Sequence, residues 1–167
     1  MIGFNKIFYL RWNKTYNTSF YKRFLLVLSP YSITFRDQNM QFIINKQEKY
    51  SILTLNEEKL TSIIAPELKS EIIKLSEEGF ANIILDVSKV KYVDSSGLSS
   101  ILTGNRLAND KNGKFILSAP GEYVMKLITI SKLDTILNIF PTNEESVDAI
   151  FLDELEKDIT KEASSEE

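Results

Sequence analysis

Residues 84–102 read ILDVSKVKYVDSSGLSSIL: an apolar run, a polar interruption, a second short apolar run, then hydroxyl residues around one glycine. Extended back to Ala81, the first run (ANIILDV) is almost continuously apolar, as expected of a strand buried on both faces. It closes with an acid, Asp86. Asp94, Ser95 and Ser96 are all good helix N-cap residues, and Gly97 allows a tight backbone turn. Leu98, Ile101, Leu102 and Ala108 then follow one helical face. The stretch therefore predicts a strand, a connection and a capped helix. Capping alone explains a DSSG tetrapeptide, but one cap needs one residue and three are supplied. Ser99, Ser100 and Thr103 extend a face of small hydroxyl side chains that another molecule can approach closely.

Working outward, QFIINKQ (41–47) and YSILTLN (50–56) are short, β-branched segments around a polar turn, predicting a β-hairpin. In IIAPELKSEIIKLSEEGF (63–80), Pro66 suits the first helical position and Glu67 the N-terminal dipole. Leu68, Ile72 and Leu75 share a face, and Gly79 stops the helix. Asn112-Gly113 marks a turn before the strand KFILS (114–118). Pro120 is expected to open a helix with Val124, Leu127 and Ile128 inward, and TILNIF (135–140) is read as a last strand. Thr142 and Glu145 form a capping-box pattern for a final helix burying Val147, Ile150 and Phe151. Phe80, Phe115, Phe140 and Phe151 sit at periodic apolar positions and are read as core.

The order β-β-α-β-α-β-α-β-α implies right-handed crossovers and a single α/β domain. Its sheet is mainly parallel with four to five strands, an N-terminal hairpin at one edge and about four helices. The domain is expected over residues 40–155. Residues 1–39 form a basic zone, with Lys6, Arg11, Lys14, Lys22, Arg23 and Arg36 against Asp37. They are read either as an extension upstream of a true start at Met40, or as a poorly ordered arm for a partner or an anionic surface. Residues 156–167 (EKDITKEASSEE) are read as an acidic, disordered tail.

Composition narrows the chemistry. The 167 residues carry a formal net charge of -3, with 43% hydrophobic and 26% charged residues. That balance argues against direct nucleic-acid binding, which needs a basic surface. There is no cysteine and no histidine. Thiolate metal sites and any Ser-His-Asp triad are thereby excluded, no Gly-x-Ser-x-Gly elbow is present, and no catalytic residue, cofactor or metal site is expected. No apolar run reaches the roughly 20 residues of a membrane span, and Phe24–Leu28 is shorter than the ~7–15 residues of a secretory core. A cytoplasmic protein is expected.

Residues 84–102 resemble the central signature of STAS domains, and in particular of anti-sigma factor antagonists. In that pattern an apolar strand ends in Leu-Asp, and a short connection leads to an apolar pair and Asp-Ser-Ser-Gly-Leu. Leu85-Asp86 and Asp94-Ser95-Ser96-Gly97-Leu98 match it. APELKSEI (65–72) is similar to the start of the family's first helix, and the element order fits over roughly Met40 to Phe151. LNEEKLTSII (55–64) departs from the family, lacking the glycine of a Gly-Glu-Leu-Asp-like turn. The resemblance implies partner switching in signal transduction and transcription regulation. Ser95 would be the phosphorylated residue, and Asp86 a nearby supporting acid. Asp94, Ser96, Gly97, Leu98, Ser99 and Thr103 would serve partner binding. The implied partners are a GHKL-type serine kinase that is also the anti-sigma factor, and a PP2C-type phosphatase. The other reading of the same resemblance is a constitutive adapter of a transporter or signalling scaffold, with Ser95 unmodified.

Overall fold

The computed structural model describes residues 41–164. The readings of residues 1–39 and of Met40 lie outside the described residues. The strands are β1 (Phe42–Lys46), β2 (Ser51–Leu55), β3 (Lys59–Leu60), β4 (Ile83–Asp86), β5 (Tyr92–Val93), β6 (Phe115–Ser118) and β7 (Asn138–Phe140). The helices are α1 (Ala65–Glu77), α2 (Ser95–Asp110), α3 (Glu122–Ile130) and α4 (Asn143–Ser164), with a single 3-10 turn at Leu133–Thr135.

The main sheet has the order β1-β2-β4-β6-β7. β1 and β2 are antiparallel, with Phe42 opposite Leu55 and Lys46 opposite Ser51. The remaining pairs are parallel, with Leu53 beside Leu85, Leu85 beside Leu117, and Leu117 beside Ile139. The fold is thus the expected α/β type, a mainly parallel sheet with an antiparallel hairpin at one edge.

Side-chain alternation along the strands builds two cores. Leu53, Leu55, Ile83, Leu85, Phe115 and Leu117 pack with Leu68, Ile72 and Leu75 of α1, Ile101 and Ala108 of α2, and Val124 and Ile128 of α3. The other face carries Ile84 and Ile116 against Ile150, with Tyr50, Ile52, Phe140 and Val147 at the margin. Among the described residues three helices cover the first face and α4 alone covers the second. Each fully buried Leu or Ile contributes about 1.5–3 kcal/mol, so the larger cluster supplies most of the stability.

That asymmetry explains one departure of the structure from expectation. Phe151 is 43% exposed rather than core. Among the described residues a single helix leaves its flank open, and its ring lies edge-on to that of Tyr50, at 6.1 Å and 86°. Phe80 and Phe140 are partly buried, and Phe115 completely. TILNIF is a strand only over its last three residues. Lys132 adopts a left-handed backbone (φ 56°), and the following 3-10 turn folds Leu137 back into the core. β7 is an edge strand and needs only the three residues that pair with Ile116–Ser118. α3 starts at Glu122 with Gly121 as N-cap, two residues after Pro120. α4 begins as the capping pattern suggests, with Thr142 Oγ1 accepting from the Glu145 N–H at 3.1 Å. It runs on to Ser164, through most of the segment set apart as an acidic tail.

α2 lies close on β6 because Gly104 has no side chain. A Cβ there would stand 2.3 Å from Cε2 of Phe115, in a fully buried ring. Alanine is the better helix former by about 1 kcal/mol, but overpacking of this kind costs about 1–3 kcal/mol. Gly104→Ala is therefore expected to lower the thermal midpoint by several degrees in circular dichroism, and Phe115→Leu in the same chain to recover part of the loss. A raised midpoint for Gly104→Ala would mean that α2 is free to move off the sheet.

Candidate functional site

The start of α2 is built by one carboxylate. Asp94 is the N-cap residue, in extended conformation, and its Oδ1 accepts from the Gly97 N–H at 2.9 Å. Its Oδ2 accepts from the Ser62 N–H at 3.0 Å. Of the three candidate caps only Asp94 caps; Ser95 and Ser96 occupy the first helical turn. The hydrogen bond from Gly97 is the main reason its carboxyl lies below the ordinary aspartate range. Burial opposes that shift, and the Ser62 and Ser96 amides reinforce it.

Ser62 belongs to the LNEEKLTSII segment, which has a feature the sequence pattern does not show. Lys59–Leu60 forms β3, paired parallel with Tyr92–Val93 as a separate two-stranded sheet. Elements of two residues are too short to display a hydrophobic period. The Lys91 and Tyr92 amides donate to the Glu58 carbonyl at 2.8 and 3.2 Å, and the Asp94 amide to the Leu60 carbonyl at 3.1 Å. Lys91 and Glu58 pair at 2.6 Å, and Lys89 reaches Asn56 Oδ1 at 2.5 Å. The missing glycine is replaced by this lacing of residues 56–62 to residues 89–94.

The glycine that the site does need is Gly97. A Cβ on it would lie 2.5 Å from the Leu60 carbonyl oxygen and 2.8 Å from both Leu60 Cγ and Val93 Cγ1. The helix start thus rests directly on β3 and β5. Gly97 is buried and Leu98 half-buried against the larger core, so both support the turn from behind. Ser100 is buried and donates to the Gly97 carbonyl at 2.6 Å. Thr103, half-buried, donates to the Ser99 carbonyl at 2.8 Å. Ser95 and Ser99 are exposed and Ser96 is half-buried. Lys69 of α1 donates to Ser99 Oγ at 3.2 Å. Asp94, Ser95, Ser96, Gly97, Leu98, Ser99 and Thr103 are therefore brought together, with Ser95, Ser96 and Ser99 as the outward hydroxyls.

Asp86 does not join them. It shares the strand face of Ile84, which points at α4, whereas α2 packs on the opposite face. Its carboxylate accepts from Asn143 Nδ2 and the Ser88 N–H, both at 2.9 Å, and from Thr54 Oγ1 at 3.3 Å. Burial pushes its carboxyl up, but these donors together outweigh burial and hold it below the ordinary range. In this arrangement Asp86 ties the start of α4 to β2 and β4.

Other surface residues near the turn left no sequence signal. Tyr92, 42% exposed, stacks on Tyr123 of α3 with ring centroids 6.0 Å apart. Ile63, next to the clamped Ser62, is 78% exposed. Among the described residues no group of acids is placed to hold a metal ion, and no helix is long and apolar enough to cross a membrane.

Fold and site together define a small α/β domain that presents a serine-bearing helix start beyond the carboxyl ends of its parallel strands. The chain belongs to the STAS domain family, whose model matches residues 41–146. It is similar in structure to a putative anti-sigma factor antagonist from Thermotoga maritima, with a TM-score of 0.60 and 24% identity over 67% of this chain and 96% of that one. The phosphorylated form of SpoIIAA, a Bacillus cell fate determinant, aligns with a TM-score of 0.53 and 22% identity over 65% of this chain and 98% of that one. The murine anion transporter Slc26a9 also aligns, with a TM-score of 0.55 and 16% identity over 65% of this chain and 18% of that one. At these identities the likeness is one of fold.

Two predictions follow from the geometry. In Gly97→Ala the new methyl group meets a backbone carbonyl, which cannot rotate away. Amide exchange at Lys91, Tyr92 and Asp94 is expected to accelerate while Leu85 and Leu117 stay protected; unchanged exchange at Asp94 would show that β3 does not bear on the helix start. The second concerns Asp86. A carboxyl held low in the folded state adds stability above its unfolded value of about 3.9 and loses it as pH falls through the folded value. Asp86→Ala is expected to lose about 1.5–3 kcal/mol at pH 7, and its urea midpoint to fall less steeply than wild type below about pH 4.

Proposed function

We propose that this domain is a phosphorylation-controlled interaction module, an anti-sigma factor antagonist acting by partner switching. Unphosphorylated, it binds a GHKL-type serine kinase that is also the anti-sigma factor, and the sigma factor is released. The carrying observation is the exposed Ser95 hydroxyl at the first position of a capped helix, in a STAS domain whose structural neighbours include anti-sigma factor antagonists. In the transfer, Ser95 Oγ forms a bond to the γ-phosphorus of ATP on the kinase. The bond from that phosphorus to ADP breaks, and the hydroxyl proton passes to a base of the kinase. A PP2C-type phosphatase hydrolyses the ester to restore serine and inorganic phosphate. The domain itself supplies no catalytic residue, and the reading places it in the cytoplasm with these partners.

The docking surface in this reading is the turn of Asp94, Ser96, Gly97, Leu98, Ser99 and Thr103. Asp94 and Gly97 contribute by shaping it, since both carboxylate oxygens of Asp94 are engaged and Gly97 is buried. A phosphate adds roughly -1.5 to -2 charges. In the free domain it stays in water at a helix start, where amides and the dipole favour an anion. In the complex it would be desolvated. A penalty of about 3–4 kcal/mol there weakens binding by two to three orders of magnitude.

The likeness to the transporter Slc26a9 supports a second reading, a constitutive adapter of a transporter or scaffold. Affinity capture from the native host followed by phosphopeptide mapping separates the two. The first reading expects a GHKL-type kinase and phosphate on Ser95, the second a transporter component and no phosphate. With the kinase in hand, Ser95→Ala is expected to bind it without being modified, and Ser95→Asp to bind about 100- to 1,000-fold more weakly. Equal binding by Ser95→Asp and wild type would end the charge-block mechanism.

A further inference from the structure

Lys69 is a cation without a carboxylate. Among the described residues it forms no ion pair, whereas Lys74 on the same helix is tied to Glu71 at 2.6 Å. Its ammonium donates instead to a neutral hydroxyl, Ser99 Oγ, at 3.2 Å. Ser99 lies four residues after Ser95, so the two side chains share one face of α2 with Cβ atoms about 5–6 Å apart. A lysine has a flexible four-carbon stem and a compact charge with three donors, so one helical turn is within its range. A phosphate on Ser95 would also project outward from the helix, toward the same seam between α1 and α2.

We infer that Lys69 is the counter-charge of a phosphate on Ser95. On phosphorylation its ammonium leaves Ser99 Oγ and pairs with the phosphate oxygens, linking α1 to the first turn of α2. The inference rests on the Ser95 reading and deepens it. The need for a cation is visible in the turn itself. Asp94 repels a phosphate on the next residue, and it cannot swing away because its oxygens hold the Gly97 and Ser62 amides. Among the described residues few other charges stand near, and on α1 itself Lys69 is flanked by the acids Glu67 and Glu71, the latter paired with Lys74. β3 and β5 bring the Glu58–Lys91 pair, closed on itself at 2.6 Å, and the exposed Lys59. α3 brings Glu122 and Lys126, again paired with each other. Lys69 already bonds to the serine face that includes Ser95. The phosphorylated domain would therefore keep its fold, hold the phosphate over the α1–α2 seam, and leave Ser99 Oγ without its lysine.

The test uses the full chain with phosphoserine inserted at position 95 during translation, so that no kinase is needed. The second ionisation of the phosphate, ordinarily near pH 6, is followed by phosphorus NMR in wild type, Lys69→Met and Lys59→Met. Expected is a rise of about 0.5 unit in Lys69→Met with little change in Lys59→Met, and unchanged thermal midpoints for the unphosphorylated variants. Titration in Lys69→Met identical to wild type overturns the inference, as does an equal or larger shift in Lys59→Met. These outcomes are independent of the partner-switching reading, which fails separately if the captured kinase leaves Ser95 unmodified.

Discussion

The exposed face of this domain depends on a carboxylate shared between two backbone amides. Asp94 closes the first turn of α2 with one oxygen and holds the β3 loop with the other. The loop then lies so near that position 97 has no room for a side chain. Cap, loop and glycine require one another. Without the carboxylate, Ser62 and Gly97 keep unsatisfied amides in a half-buried seam; without the glycine, the Leu60 carbonyl is pushed off. A serine placed on this turn is positioned by backbone contacts on both sides, and among the described residues the Ser95 side chain has no hydrogen-bond partner.

The two faces of the sheet divide the work. α1, α2 and α3 enclose the larger core and carry the serine turn. On the other face, among the described residues, α4 alone packs on Ile84 and Ile116 and is fastened by polar groups at both ends of the strands. Asn143 reaches Asp86 at the carboxyl ends, and Asp153 meets Lys114 at 2.8 Å at the amino ends. Beyond that point Leu155 and Ile159 lie exposed on the helix. Changes on the α4 side should therefore read out as stability, and in the proposed function changes at the start of α2 as recognition.

The main sheet and the helices were legible because their signals are periodic and long enough to count. The continuous apolar run before Asp86 marked a doubly buried central strand, and Leu68, Ile72 and Leu75 marked a helix face. Two-residue strands carry no period, so β3 and β5 were invisible, and with them the reason for Gly97. The resemblance implies Asp86 as an acid supporting Ser95, and strand alternation puts its carboxylate on the face of Ile84, where it meets Asn143 of α4. Lys69 left no mark at all, since its bond to Ser99 is a helix–helix contact thirty residues apart. Phe151 shows the converse error: its spacing is that of a core residue, but the layer that would bury it is a single helix wide.

A fold shared by antagonists and a transporter domain cannot by itself assign a role, so the weight falls on what the serine turn can do energetically. Were Ser95 buried, phosphorylation would have to unfold the turn to take effect. Were it held in a hydrogen bond, the kinase would first have to break that bond. Ser95 is exposed, and its neighbour Asp94 satisfies the helix start in its place. A phosphate added there would therefore disturb little inside the domain, and its effect would be reserved for whatever surface lies against it. A switch of the proposed type would act through the difference between a solvated and a desolvated charge, so it would need a rigid presenting turn more than a conformational change. The β3–β5 pair, the shared carboxylate and the absent side chain at position 97 provide that rigidity.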